Sequence, residues 1–125
     1  MDAIGRRCWV IAEGYIPGNS MAGADRTLVS HETACILNTG STPARIQMML
    51  FFTDRDPAGP YEIEVGARRT VHMRFNDLTE PEAVPRDTSY ASVIESDVPV
   101  VVQHTRLDSR AAEIALLSTM AFAVD

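Results

Sequence analysis

The chain has 125 residues, of which 46% are hydrophobic and 22% charged, which is typical of one globular domain and not of a disordered segment. Its formal net charge of -6 argues against nucleic-acid binding, since phosphates attract basic surfaces. No apolar run approaches the roughly 20 residues of a membrane span, and the N-terminus lacks the apolar core of a signal peptide. We therefore expect a cytoplasmic protein without membrane insertion.

Apolar residues at strand-like spacing, interrupted by turn residues, predict a series of short β-strands. A stretch containing Gly, Pro, Asn and Ser predicts a loop over residues 14–25, and Asp54 to Pro60 predicts a tight turn. The strands predicted in the first part of the chain span residues 8–13, 28–37, 45–53, 61–65 and 70–75.

The next segment, residues 76–88, contains two prolines and four acidic residues and predicts a loop. Two further strands, residues 90–95 and 98–104, are predicted on either side of a turn at Ser96–Asp97.

At the end of the chain, the sequence pattern fits more than one kind of secondary structure. Asp108 is placed to cap a short helical turn over residues 109–114, and residues 116–124 are compatible with a strand or a helix. Taken together, the pattern predicts an all-β protein. We expect a single antiparallel β-sandwich domain over residues 1–125, with about seven or eight strands and at most one short helical turn.

Two of the predicted strands are apolar on both faces, at Met48–Phe52 and Val100–Val102. The outer face of an antiparallel sandwich is normally polar, so an apolar outer face needs a second cover. A homo-oligomer interface is the simplest cover. Central strands covered by loops of the same chain are the alternative.

The two cysteines, Cys8 and Cys35, lie in apolar strand-like runs, so we expect them to be buried and reduced. A minority alternative places them opposite each other on adjacent strands. No spacing of Cys and His resembles a zinc site, so we predict no metal site, and no cofactor is predicted either.

The most distinctive stretch runs from Val98 to Arg110, where an apolar strand is followed at once by polar side chains of both charges. On a strand, His104 and Arg106 share one face, and Gln103 and Thr105 share the other. At most half of this cluster can therefore serve one pocket. His104 and Arg106 together are suited to bind a carboxylate or a polyol.

A structural role is the alternative for this cluster, with its polar end solvated or paired within the fold. Asp108 would then form a salt bridge with Arg106 or Arg110.

His31 and Glu32 invite a catalytic interpretation, which strand geometry opposes. Adjacent residues of a strand point to opposite faces, so the two act on one ligand only at a bulge or a strand end. A hydrogen-bonded structural histidine is the simpler interpretation of His31. The sequence also contains no G-x-S-x-G motif and no Gly-rich phosphate loop, and we predict no catalytic residue.

Several segments together resemble one family. They are CWVIAEGYIPG (8–18), SHETACILNTG (30–40), FFTDRDPAGPY (51–61), ARRTVHMRFNDL (67–78), DTSYASVIESDVPVVVQHTRLDSR (87–110) and ALLSTMAFA (115–123). The chain resembles the soluble sensory-rhodopsin transducer family, and the resemblance covers nearly its whole length.

This resemblance implies a small all-β sandwich that forms a homotetramer and acts as a cytoplasmic partner of a sensory rhodopsin. It also implies a non-enzymatic module that binds a small polar molecule, such as a sugar or a related metabolite. The positions that match the family's characteristic polar residues are His31, Glu32, Arg74, Asn76, Asp77, Gln103, His104, Thr105, Arg106 and Asp108.

Two other functions remain open at this stage. One is a pure protein-interaction adaptor for a membrane photoreceptor, in which the same residues hold the fold and the oligomer together. The other is an uncharacterised hydrolase that uses a carboxylate or a histidine. The acidic net charge is compatible with docking to a rhodopsin, since the cytoplasmic loops of membrane proteins are rich in Lys and Arg.

Overall fold

The computed structural model describes residues 2–21 and 25–125, and these residues form an all-β protein. Met1 and residues 22–24, which belong to the loop predicted over 14–25, lie outside the described residues. The strands are β1 (Arg6–Tyr15), β2 (His31–Asn38), β3 (Ala44–Phe52), β4 (Ala58–Val65), β5 (Arg69–Arg74), β6 (Ser89–Asp108), β7 (Ala115–Met120) and β8 (Phe122–Val124).

All strand pairs are antiparallel, which confirms the predicted fold class. One 3₁₀ turn, Phe75–Asp77, is the single helical element in the described ranges. No helix in the described part of the chain has the length and apolarity that crossing a bilayer requires.

Strand β6 is 20 residues long and belongs to both layers of the fold. Its first half, residues 89–96, lies between β1 and β3 in a first sheet of order β4-β3-β6-β1-β8. Its second half, residues 101–108, lies between β2 and β7, and β5 pairs with the far side of β2. The sandwich therefore consists of two sheets joined by one strand.

The turn predicted at Ser96–Asp97 is wrong, because β6 continues through these residues. Ser96 is buried and pairs with Ile46 of β3, and its Oγ accepts the backbone N–H of Val98 at 3.3 Å. Asp97 Oδ1 accepts the backbone N–H of Arg45 at 2.8 Å. Polar side chains that favour turns in isolation here satisfy backbone donors within and beside the strand.

The core lies between the two sheets and is built by alternate residues of each strand. Ile46, Met48 and Leu50 of β3 are buried, as expected for a strand with one face on the core. Ile94 and Val102 of β6 are fully buried in the two halves of that strand. One strand thus contributes side chains to both walls of the same core.

The segment after β6 contains no helical turn, so the turn predicted over residues 109–114 is wrong. Asp108 Oδ1 accepts the backbone N–H of Arg110 at 3.1 Å, and the Asp108 carboxylate also binds the Arg110 guanidinium. Asp108 therefore stabilises a local bend and does not start a helix. Residues 116–124, which were compatible with either structure, form strands β7 and β8.

Strands β7 and β8 expose large apolar side chains. Leu116 is 66% exposed, Leu117 49%, Met120 54% and Phe122 70%. Leu116 and Leu117 point to opposite faces of β7, so both faces of this strand are open in the single chain. Apolar surface of this kind is typical of a contact with another molecule.

Cys8 and Cys35 are free thiols, and each is half-buried and not buried as predicted. Cys8 lies opposite Glu95, and Cys35 lies opposite Gln103. The two cysteines lie on strands that do not pair with each other, which removes the adjacent-strand alternative. Burial, with the charge of Glu95 nearby, raises the pKa of the Cys8 thiol.

Candidate functional site

A fully buried carboxylate, Glu32, lies at the centre of the candidate site. Its Oε1 accepts a hydrogen bond from His104 Nε2 at 2.6 Å. Its Oε2 accepts hydrogen bonds from Arg106 Nε and from the backbone N–H of Tyr15, the latter at 3.1 Å. Charge-assisted hydrogen bonds of this kind are stronger than neutral ones, and they are what makes a buried carboxylate tolerable.

The strand register explains why these three side chains meet. Glu32 lies directly opposite Arg106 in the β2–β6 ladder, and Ala34 lies opposite His104. Since residues two apart share a face, Glu32, His104 and Arg106 all point to the inner side of the second sheet. We call these three residues the Glu32 network.

Arg106 links the buried network to the surface. Its Nη1 donates to Glu13 Oε1 at 2.9 Å, and the Glu13 side chain is 83% exposed, whereas that of Arg106 is 19% exposed. Burial lowers the pKa of Arg106, but hydrogen bonds from its guanidinium to Glu13 and Glu32 outweigh this effect and raise it overall. Arg106 therefore stays charged and has one carboxylate on its buried side and another in water.

The backbone around Glu32 is fixed by neighbouring polar groups. Asn76 Oδ1 accepts the backbone N–H of Glu32 at 3.2 Å, and Asn76 Nδ2 donates to the carbonyl of Ser30 at 3.0 Å. Ser30 Oγ in turn accepts the backbone N–H of Ser109 at 3.0 Å. These bonds pin the start of β2 to the 3₁₀ turn and to the end of β6.

Tyr90 is buried next to the network, and its hydroxyl has no hydrogen-bond partner among the described residues. Its ring lies against Gly14, where an added Cβ would come within 2.5 Å of the ring, and 5.4 Å from the Phe75 ring. Burial, together with the charge of Glu32, raises the pKa of Tyr90 far above its usual range, so Tyr90 stays a neutral phenol.

A groove of about 710 Å³ opens between β1 and the β7–β8 segment, and His104 and Arg106 form part of its lining. Its lining is mostly apolar, and we call it the edge groove. The complete lining is Val10, Ile11, Ala12, Glu13, His104, Arg106, Leu117, Thr119, Met120, Ala121 and Phe122. Another concavity of about 720 Å³, lined by Arg45, Glu62 and Glu95 among others, is formed by β3, β4 and β6 and includes no residue of the network.

A family model described as Anabaena sensory rhodopsin transducer matches residues 4–123. The chain belongs to this transducer family. The solved structure of the Anabaena sensory rhodopsin transducer is 52% identical, with a TM-score of 0.76, and the match covers 84% of this chain and 100% of that one. The crystal structure of Thermotoga maritima 1070 is 34% identical, with a TM-score of 0.85 over 96% of each chain. A comparison with curated proteins finds no match.

The family resemblance of the sequence segments is thereby confirmed, and the structure shows where this transducer-family chain places the matching polar residues. It brings Glu32, His104 and Arg106 together at the edge groove, with Asn76 behind them. His31 is separate, because its Nδ1 lies 2.7 Å from the carbonyl oxygen of Val29 and not near the network.

Gln103 and Thr105 are also separate from the network. Both side chains hydrogen-bond to Ser118 of β7, at 3.0 and 3.1 Å, on the face opposite to His104. The strand parity predicted for this cluster is therefore confirmed.

Three further polar residues bind their own neighbours. Arg74 Nη1 donates to the Arg26 carbonyl at 2.9 Å, and the guanidinium of Arg26 binds the Asp77 carboxylate and lowers its pKa. Asp108 pairs with Arg110, whose hydrogen bond lowers the pKa of Asp108, so the alternative pairing of Asp108 with Arg110 is the one observed.

The sequence interpretation missed Glu13, Tyr15 and Tyr90. Glu13 and Tyr15 flank Gly14 at a register shift in the β1–β6 ladder, which turns them toward the network. No spacing rule marks such a shift in advance. A glycine within a strand is the one available signal, since it often accompanies a bulge.

We expect Glu32→Gln to lower the free energy of unfolding by about 2–4 kcal/mol, because it leaves the partly buried Arg106 without its inner charge partner. Chemical denaturation at one fixed protein concentration measures this change. Glu13→Gln removes the exposed partner of the same arginine and should cost less than about 1 kcal/mol. Equal losses for the two variants would contradict the central place of Glu32.

Proposed function

We propose that this transducer-family protein is a non-enzymatic, cytoplasmic signalling protein. In this proposal it works with a sensory rhodopsin and binds a small polar molecule, such as a sugar or a related metabolite, in the edge groove. The observation that carries the proposal is the guanidinium of Arg106 at the groove, which is held in place by the buried carboxylate of Glu32, itself hydrogen-bonded to His104. Donors fixed before a ligand arrives lower the entropy cost of binding it.

The contacts of His104 favour recognition over nucleophilic catalysis. A catalytic histidine must reach a nucleophile by a hydrogen bond, directly or through water. In the described residues, the hydrogen bond of the His104 side chain is to Glu32, and none joins it to a hydroxyl or a thiol. We therefore assign Arg106 as the ligand donor and His104 as a positioning residue that holds Glu32.

We expect a ligand of the edge groove to raise the melting temperature of the protein in a screen of monosaccharides, sugar acids and nucleosides. A ligand at 100 times its dissociation constant adds about 2.7 kcal/mol of stability, which corresponds to several degrees. Arg106→Lys should weaken the effect, because lysine keeps the charge and loses the planar fork of donors.

Two tryptophan variants locate the binding. Ala12→Trp places a bulky side chain in the lining of the edge groove while keeping all three residues of the Glu32 network, and it should abolish the ligand-induced shift. Ala83→Trp places the same side chain in the exposed loop before β6 and should leave the shift unchanged. An unchanged shift in Ala12→Trp would place the ligand elsewhere and overturn the proposal.

We also propose that the protein forms a homotetramer through the face of β7 that carries Leu116, which is opposite to the face of Leu117. Light scattering should then give the mass of four chains of 13.7 kDa each. Leu116→Ser should lower that mass at micromolar concentration, because Leu116 is 66% exposed on β7. Ile4→Ser changes an apolar residue that is 50% exposed away from β7 and serves as the control. A wild-type mass of one chain would refute the tetramer.

Association with a sensory rhodopsin should be measurable by co-purification of the detergent-solubilised receptor in the dark and in light. We expect capture that depends on illumination and weakens when the salt concentration is raised about tenfold, because the net charge of -6 complements basic cytoplasmic loops. An unrelated membrane protein with equally basic loops is the control. Equal capture of that control would show that the attraction is nonspecific.

A further inference from the structure

We infer that the ligand of the edge groove is a small carboxylic acid with an apolar body, whose carboxylate takes the place of Glu13 on Arg106. This inference rests on the proposed binding of a small polar molecule, and it assigns that molecule to the carboxylic acids and not to the neutral sugars. It depends on three features of the described residues: the two sides of the Arg106 guanidinium, the exposure of Glu13, and the lining of the groove.

The guanidinium of Arg106 has different partners on its two sides. On the buried side, Nε donates to Glu32, which is fully buried and fixed by His104 and the backbone of Tyr15. On the outer side, Nη1 donates to Glu13 at 2.9 Å, and Nη2 makes only a long contact of 3.5 Å with the Glu13 carbonyl. The outer side therefore already binds a carboxylate, and planar guanidinium donors suit carboxylates better than hydroxyls.

Glu13 is easy to displace. Its side chain is 83% exposed, and its carboxylate makes no hydrogen bond in the described residues other than the one to Arg106. It also lies within a register shift of β1, between Ile11 and Gly14, so no regular ladder position holds it. An exposed ion pair of this kind contributes little to stability, and water solvates the released carboxylate well.

A carboxylate from a ligand would keep the charge balance of the site when Glu13 leaves. Arg106 would again carry one carboxylate on each side, and Glu32 would keep all its contacts. A neutral hydroxyl in the same place would compete with the charge of Glu13 and gain only uncharged hydrogen bonds. The site therefore favours acids over neutral polyols.

The rest of the groove selects the body of the ligand. Leu117, Met120 and Phe122 line it and are each about half or more exposed, so a ligand that covers them removes apolar surface from water. Apart from the charged residues and His104, Thr119 is the single polar side chain of the lining. A sugar ring with several hydroxyls would leave most of them without partners.

Matched acid and amide probes test this inference by calorimetry or NMR titration at constant ionic strength. We expect benzoate to bind at least about tenfold more tightly than benzamide, since the two differ only in the charged group. We expect benzoate also to bind more tightly than glucuronate, and glucuronate more tightly than glucose. Ala12→Trp should abolish the binding of benzoate, because it fills the groove.

Two isosteric variants test the displacement. Glu13→Gln should tighten the binding of benzoate by about two- to fivefold and leave benzamide unchanged, because it removes the charged competitor on Arg106. Glu62→Gln makes the same change of net charge on β4, outside the groove, and should leave both affinities unchanged.

The outcomes separate this inference from the proposed function. If glucose or another neutral probe binds in the groove as tightly as its acid, or if Glu13→Gln and Glu62→Gln behave alike, the carboxylate inference is wrong while small-molecule binding stands. If no probe and no member of the wider screen binds, both are wrong.

Discussion

The buried carboxylate of Glu32 is the constraint on which the arrangement of this protein depends. A lone charge in a protein interior costs several kcal/mol, so the fold must supply partners for it. Those partners come from two strands, Tyr15 from β1 and His104 and Arg106 from β6, and they surround Glu32 of β2. A slip of one residue between β2 and β6 would turn both donors to the opposite face and leave the carboxylate unpaired. Glu32 therefore specifies the strand register at the site.

The same requirement connects stability to recognition. Arg106 is needed inside to neutralise Glu32, and its position near the surface leaves its outer donors within reach of solvent and of Glu13. The ion pair between Arg106 and Glu32, which stabilises the fold, thus also presents guanidinium donors to a ligand. Beside this network the hydroxyl of Tyr90 has no hydrogen-bond partner in the described residues, and there the packing favours the ring over the hydroxyl.

Local patterns in the sequence predicted most of the strands and the face on which each residue lies. The alternation of Glu62 and Glu64 with apolar neighbours and the parity of Gln103 and His104 required only the geometry of one strand. Two kinds of information were not local. Ser96–Asp97 resembled a turn, and only pairing with strands from elsewhere in the chain shows that β6 continues. The side-chain partners of Glu32 lie 72 and 74 residues away along the chain. Composition therefore identified them as candidates but could not show that they contact Glu32.

Because β6 belongs to both sheets, the protein has few ways to change shape. Sliding one sheet over the other would break the hydrogen bonds that flank β6 on both sides, and shear between layers is therefore costly. Strands β7 and β8 are each paired on one side only and can detach at a much lower cost. They also carry the exposed apolar side chains and border the groove. Any signal that this molecule transmits should thus involve movement of β7 and β8 at the edges of the sheets, while the core between the two sheets stays unchanged.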